Sequence, residues 1–397
     1  MTTDRLTFKA EWKDTLTSIN WKFNLFFYPS DGTIELYDLI KHRLFLKRTK
    51  CEDISAEDLF IGATLRIYSR LIHITDYGDS YTCHELETHL QKVCGFLKPE
   101  IGNKKGKILK LLSNYDLKII NLKMIQLTES RAKNIFEEYE DASILKSMIE
   151  HIISGPILAF EILGKNAINI CLDLIGPEDP DNARKMYPET VRAQYGIDKI
   201  RNGIHVSTST KSAERDSKIL FDPNGYTCDY LNSATLNKNI ICCVIKPHAV
   251  KSGQIGEIIN MIEESGYHIT SIYMCTLNTE QAEKFHEVYK YVLPEYQDMI
   301  QELCSGPCVA LEVKNESGEE IYAEFRKFVG PLNADIAKII RPDTVRGRFG
   351  KTNVQNSLHV TDLIDDIKRE EIIEKIFNVE FVSTKLQKID IGLKRFL

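Results

Sequence analysis

The sequence predicts an α+β protein in which a small β-rich module precedes two tandem copies of one ferredoxin-like, split-βαβ domain. Three observations carry this expectation. The chain has 397 residues, more than one compact core usually holds. Both tryptophans, Trp12 and Trp21, fall in an opening stretch whose aromatic, alternating pattern differs from the rest. The remainder repeats itself in five short motifs taken in the same order.

The opening stretch reads as strands. Trp21 to Pro29 is aromatic and apolar, Ser30-Asp31-Gly32 is a turn signal, and Thr33 to Leu39 alternates. Asp-Gly between two such runs favours a hairpin. Leu44–Thr49 and Leu65–Thr75 continue the pattern, so residues 1–88 form the first expected domain. The basic run Lys41–Lys50 lies on one of these strands and reads first as a solvated strand face.

Beyond it, Leu97-Lys98-Pro99 recurs as Ile245-Lys246-Pro247, and Ser154-Gly155-Pro156 as Ser305-Gly306-Pro307. Gly176-Pro177 recurs as Gly330-Pro331, and Thr190-Val191-Arg192 as Thr344-Val345-Arg346. Asn202-Gly203-Ile204-His205 recurs as Asn356-Ser357-Leu358-His359. The last three pairs share one offset of 154 residues (176 to 330, 192 to 346, 205 to 359). One domain has been duplicated, with expected bounds 89–237 and 238–378, a polar junction near Asn232–Asn239 and a tail over 379–397.

The second copy shows the element order. Ile240–Ile245 is a short apolar run that suits a buried strand, with Cys242 and Cys243 inside it. Gly256–Ser265 has apolar residues at helical spacing, and His268–Cys275 reads as the next strand. Helices are expected near Gln281–Tyr291 and Asp298–Leu303, a strand over Cys308–Val313 and a helix near Ile321–Val329. That order is β-α-β, two helices, then β-α-β.

Composition narrows the function classes. A formal net charge of −6 makes a general nucleic-acid binder a poor expectation, because neutralising phosphates needs clustered Lys and Arg. The ten cysteines are scattered and include no CxxC pair, which points to free thiols in a reducing, cytosolic setting. The start lacks the apolar stretch of a signal peptide, and no apolar run is long enough to span a bilayer.

Each copy repeats a Lys before Pro, an Arg, an Asn and a His, and neither carries a Walker A loop. Handling phosphate without such a loop requires side-chain cations. Neutral imidazole is nucleophilic near physiological pH, and a covalent intermediate divides one hard transfer into two easier ones.

Lys-Pro after a strand, then Ser-Gly-Pro, Thr-Val-Arg and Asn-x-x-His, resembles the nucleoside diphosphate kinases, twice over across residues 90–378. The resemblance implies transfer of a terminal phosphate between ATP or GTP and nucleoside diphosphates through phosphohistidine, with Mg2+ riding on the nucleotide. It implies nucleophiles at His205 and His359. It places nucleotide contacts at Lys98, Arg192 and Asn202 in the first copy, and at Lys246, Arg326, Arg346 and Asn356 in the second. Ser207 and Thr361 take the place of the serine beside the histidine. Glu370 or Glu371 would orient His359. The first copy departs from the pattern at Leu172, where an arginine is expected. Val206 and Val360 replace a glycine, and the base-stacking position falls on Ile144 in one copy and on Glu295, next to Tyr296, in the other.

Residues 1–88 resemble the DM-ten module of ciliary microtubule proteins, a small PH-like fold. The resemblance implies tubulin and other axonemal proteins as partners, in the cytoskeleton of the cilium. The chain would be a monomer or a subunit of a larger assembly. Two functions therefore stand side by side: a kinase bound to microtubules, or a structural protein inside ciliary doublets whose kinase domains no longer catalyse.

Overall fold

A computed structural model describes residues 5–14, 17, 19–51, 54–68, 70–87, 90–115, 117–137, 139, 141–221, 240–315 and 321–360. The chain separates into two compact units, one of residues 1–90 with 276–307, the other of residues 91–275 with 308–397.

The first unit is built on a six-stranded antiparallel sheet. Its strands are β1 (Leu6–Lys13), β2 (Asn20–Tyr28), β3 (Thr33–Asp38), β4 (Arg43–Lys50), β5 (Thr64–Ile67) and β6 (Arg70–Tyr77), in the order β4-β3-β2-β1-β6-β5. Alternation along β2 and β3 sends Phe23, Leu25, Phe27, Ile34 and Leu36 into one core, as the pleat requires. The stretch Leu65–Thr75 divides into β5 and β6, because Tyr68 takes a left-handed φ of 54° between them. A helix, Ser80–Glu87, closes the module. The basic run is a largely exposed strand. Arg48 pairs with Asp31 at 2.6 Å and stacks on Tyr28, and Lys41 lies over Trp21. Helices Thr279–Phe285 and Tyr296–Leu303 belong to the same unit, where the Arg66 guanidinium donates to the Gln301 carbonyl at 2.8 Å.

The second unit holds the first copy and the second copy apart from residues 276–307. The first contributes β7 (Gln91–Leu97), β8 (Lys118–Ile125), β9 (Ile157–Gly164) and β10 (Ile204–Val206). The second contributes β11 (Ile240–Ile245), β12 (Tyr267–Thr276), β13 (Pro307–Asn315) and β14 (Leu358–Val360). They form one sheet in the order β10-β7-β9-β8-β12-β13-β11-β14. Read from either edge the order is the same, that of a split βαβ sheet, and the halves meet where Tyr273 of β12 pairs antiparallel with Lys123 of β8.

A helix from each copy crosses the other on one face: Lys105–Ser113 and Ile255–Glu264. Two glycines allow the crossing. A Cβ on Gly106 would lie 2.1 Å from the Asn260 backbone nitrogen, and one on Gly256 would lie 2.3 Å from that of Lys110. Lys110–Glu257 and Lys107–Glu264 pair at the rim, and the Glu263 carboxylate accepts from the Gly106 N–H at 2.8 Å. One hydrophobic core runs continuously beneath both helices. Cys242 and Cys243 are buried in β11, as their apolar neighbours require.

Candidate functional site

The repeated motifs prove to be one mechanical device, built twice. Helix Ala167–Ile175 ends at Gly176 and helix Ile321–Val329 ends before Gly330; both glycines have left-handed φ, 76° and 93°. A side chain there would strike the hydroxyl of Thr190 or Thr344, so Gly-Pro and Thr-Val-Arg constrain each other across a turn. The arginine of each Thr-Val-Arg then donates to the glycine carbonyl, Arg192 to Gly176 at 2.8 Å and Arg346 to Gly330 at 3.0 Å. Lys98 donates to the Ile200 carbonyl and Lys246 to that of Val354, each at 2.7 Å. Asn202 donates to the carbonyls of Glu178 and Lys199, and Asn356 to those of Leu332 and Asn353. The Lys98, Arg192 and Asn202 side chains are thus held by backbone carbonyls, which fixes their position and neutralises neither cation.

In the first copy these residues line a cleft of about 720 Å³ together with His205. His205 projects from β10, its ring stacked on Phe96 at 4.9 Å and meeting Phe136 edge-on at 5.4 Å. Its Nε2 lies 3.5 Å from Asp216 Oδ2. Asp216 is fully buried on helix Thr210–Phe221, and Arg215 Nε lies 3.1 Å from its other oxygen. Burial pulls the His205 pKa below its usual 6.5; Asp216 opposes this, while Lys98 and Arg192 add to it. The imidazole is therefore neutral at pH 7. With Nε2 turned to the carboxylate, Nδ1 is the nitrogen that can act as a nucleophile.

Burial also lowers the Lys98 pKa to about 8, against the pull of Glu100, and lowers that of Arg192. Arg192 Nε and Asn202 Oδ1 are buried with no hydrogen-bond partner in the chain. Desolvated cations and orphaned polar atoms in a cleft mark a place for an anionic, polar ligand. Ser207 closes the strand edge, its hydroxyl accepting from the Cys94 N–H at 3.1 Å, and lines the cleft. Leu172 also lines it, at the place where the second copy carries Arg326.

The second copy brings Lys246, Arg346, Asn356 and His359 to the same positions, all buried. Burial brings Arg346 down to about 10, with the Arg326 charge lowering it further. Thr361 and Glu370 lie outside the described residues. Asp216 was missed in sequence, yet the 154-residue offset that relates His205 to His359 carries Asp216 onto Glu370. Tyr139 was missed as well. Its hydroxyl donates to Glu178 Oε1 at 2.9 Å across the cleft. Ile144 does line the cleft.

A family model for nucleoside diphosphate kinase matches residues 91–226 and again 240–380. The chain belongs to the nucleoside diphosphate kinase family. Residues 1–82 match the DM10 domain model. The chain is 39% identical over 363 residues to nucleoside diphosphate kinase homolog 7 of Mus musculus, covering 91% of each. It is 31% identical over 135 residues to a nucleoside diphosphate kinase of Saccharolobus solfataricus, covering 95% of that protein and 33% of this chain. Among solved structures it is similar to the Aquifex aeolicus nucleoside diphosphate kinase, at 32% identity and a TM-score of 0.32, over 33% of this chain and 95% of that one. At the level of the family this is a nucleoside diphosphate kinase-type phosphotransferase, whose members take their nucleotide with magnesium. Among the described residues no helix is long and apolar enough to cross a membrane.

Proposed function

We propose that the chain transfers the terminal phosphoryl group of a nucleoside triphosphate to a nucleoside diphosphate through phosphohistidine, at His205 and, by the same residue set, at His359. One observation carries this reading: a partly buried, neutral histidine beside a fully buried carboxylate, inside a cleft whose cations are held by backbone carbonyls. The His205 Nδ1 lone pair attacks the terminal phosphorus. The bond from that phosphorus to the bridging oxygen breaks, and the nucleoside diphosphate leaves with the electron pair. Asp216 faces Nε2–H and stabilises the charge that the ring gains. Lys98 and Arg192 hold the phosphate chain, which brings magnesium in as part of the substrate. A terminal oxygen of a second diphosphate then attacks the phosphohistidine and regenerates the imidazole.

The test is acid-labile label from γ-labelled ATP with magnesium, followed by chase into GDP. Wild type should take up label. His205→Gln and His359→Gln should each remove it from one copy, and the double change from both. Wild type that binds nucleotide and takes up no label would remove the catalytic reading. A structural protein with kinase-fold surfaces would remain, a reading that Leu172 and the carboxylates lining the first cleft favour.

The same proposal places the chain on ciliary doublet microtubules. The DM10 match supports this, as do the exposed side chains of Arg43, Lys47 and Lys50, which suit an acidic partner such as tubulin. Reversing these three charges in the full-length chain should reduce cosedimentation with microtubules; unchanged sedimentation would count against this surface.

A further inference from the structure

The two copies differ in charge at the places that line the first cleft. Leu172, Asp173 and Glu178 line it, and at the 154-residue offset the second copy has Arg326, Lys327 and Leu332. Lys199, which pairs with Asp179 at 3.5 Å, is matched by Asn353. Thr208 and Ser212 are matched by Asp362 and Asp366, outside the described residues.

Glu178 is the difference with a defined geometry. It directly follows Gly176-Pro177, whose glycine carbonyl seats Arg192. Its backbone carbonyl holds Asn202, and its carboxylate is fixed on the Tyr139 hydroxyl at 2.9 Å. Burial lowers the pKa of both Lys98 and Arg192, and the negative charge of Glu178 opposes that shift at each, after Glu100 at Lys98, so it acts on the two cations that a phosphate chain would use. The first cleft therefore carries a fixed carboxylate on the wall it shares with the two cations. Leu332 places no such charge in the second copy.

We propose that Glu178 is a specificity-determining residue: held by Tyr139 beside Lys98 and Arg192, it makes the first cleft accept metal-complexed nucleotide and reject free nucleotide. A free diphosphate chain meets two cations and an opposing carboxylate. Bound magnesium cancels much of the chain's charge and removes the repulsion. The second copy, with Arg326 added and Leu332 in place of the carboxylate, tolerates the uncomplexed chain. This inference rests on nucleotide binding to the first copy.

The experiment is photo-crosslinking of the full-length chain with 8-azido-ADP, in excess magnesium or in EDTA, with labelled peptides of each copy quantified by mass spectrometry. Removing magnesium should lower first-copy labelling about tenfold and second-copy labelling by less than about threefold. Glu178→Gln should bring the first copy close to the second. Leu332→Glu, at an exposed position, should give the second copy the metal dependence of the first. Equal labelling of the first copy with and without magnesium would overturn the inference, as would an equal loss in both copies or an unchanged dependence in Glu178→Gln. Those outcomes leave the kinase reading standing. An absence of first-copy labelling under every condition would overturn both this inference and the kinase reading at His205.

Discussion

The two copies share a skeleton and differ in its charge. Lysine, arginine and asparagine are anchored to equivalent carbonyls in each, with the two lysine contacts both at 2.7 Å. Around that common frame the first copy replaces Arg326 by Leu172 and Leu332 by Glu178. The backbone device that seats the cations is the same in both copies, and in it glycine, threonine and arginine depend on one another. The charges around it lie outside that clasp, and they differ between the copies.

The largest expected effect breaks the frame that the copies share. Gly106→Val puts a branched side chain against the Asn260 backbone, which cannot swing aside. It should cost about 3 kcal/mol and lower the melting transition of the tandem unit, measured by calorimetry. A transition unchanged from wild type would mean that the helices can slide apart freely.

Next comes the chemistry of one copy alone. Asp216→Asn keeps the shape of the side chain and removes its charge. It should slow phosphohistidine formation at His205 by about a hundredfold or more, with His359 in the same molecule as the internal control. An equal rate at both sites would remove Asp216 from the mechanism.

Leu172→Arg should restore the missing cation and tighten nucleotide binding to the first copy by about tenfold, read by competition against the azido probe. No gain would place the phosphate chain away from this wall of the cleft.

The smallest effect is in pH. Lys98 has a depressed pKa of about 8, and a bound phosphate raises it. Binding to the first copy should therefore take up protons and weaken as pH rises through about 8, shown by calorimetry in buffers of different ionisation enthalpy. Arg346, at about 10, stays charged over that range. His205, pulled below 6.5, should keep its rate of phosphorylation down to pH values under 6.5 and lose it only below that, as the ring takes a proton.

The duplication and the order of elements were legible in the sequence because they are written in short motifs at fixed spacing. Gly-Pro and Thr-Val-Arg announce a turn and its clasp, and the apolar runs announce β11 and β13. Four of the cleft's side chains, Lys98, Arg192, Asn202 and His205, were found this way, since each sits inside a repeated motif. Asp216 was not, because it stands alone on a helix and its counterpart Glu370 is a different acid. The Tyr139–Glu178 contact was not either: it joins residues 39 apart and has no equivalent to repeat. The division between β5 and β6 was hidden because Tyr68 gives no sign of the left-handed conformation it adopts. The association of residues 276–307 with the first unit is a matter of tertiary packing, which periodicity within a helix does not report.

The continuous sheet through Tyr273 and Lys123 has a consequence for the life of the molecule. Two separate chains meeting along such an edge would part on dilution and exchange partners. Here the second partner is tethered, at an effective concentration that no dilution changes. Every molecule carries one site of each kind in a fixed one-to-one ratio. A substitution that suits one half cannot spread to the other by reassortment, so the paired sites can drift toward different tasks without ever losing each other.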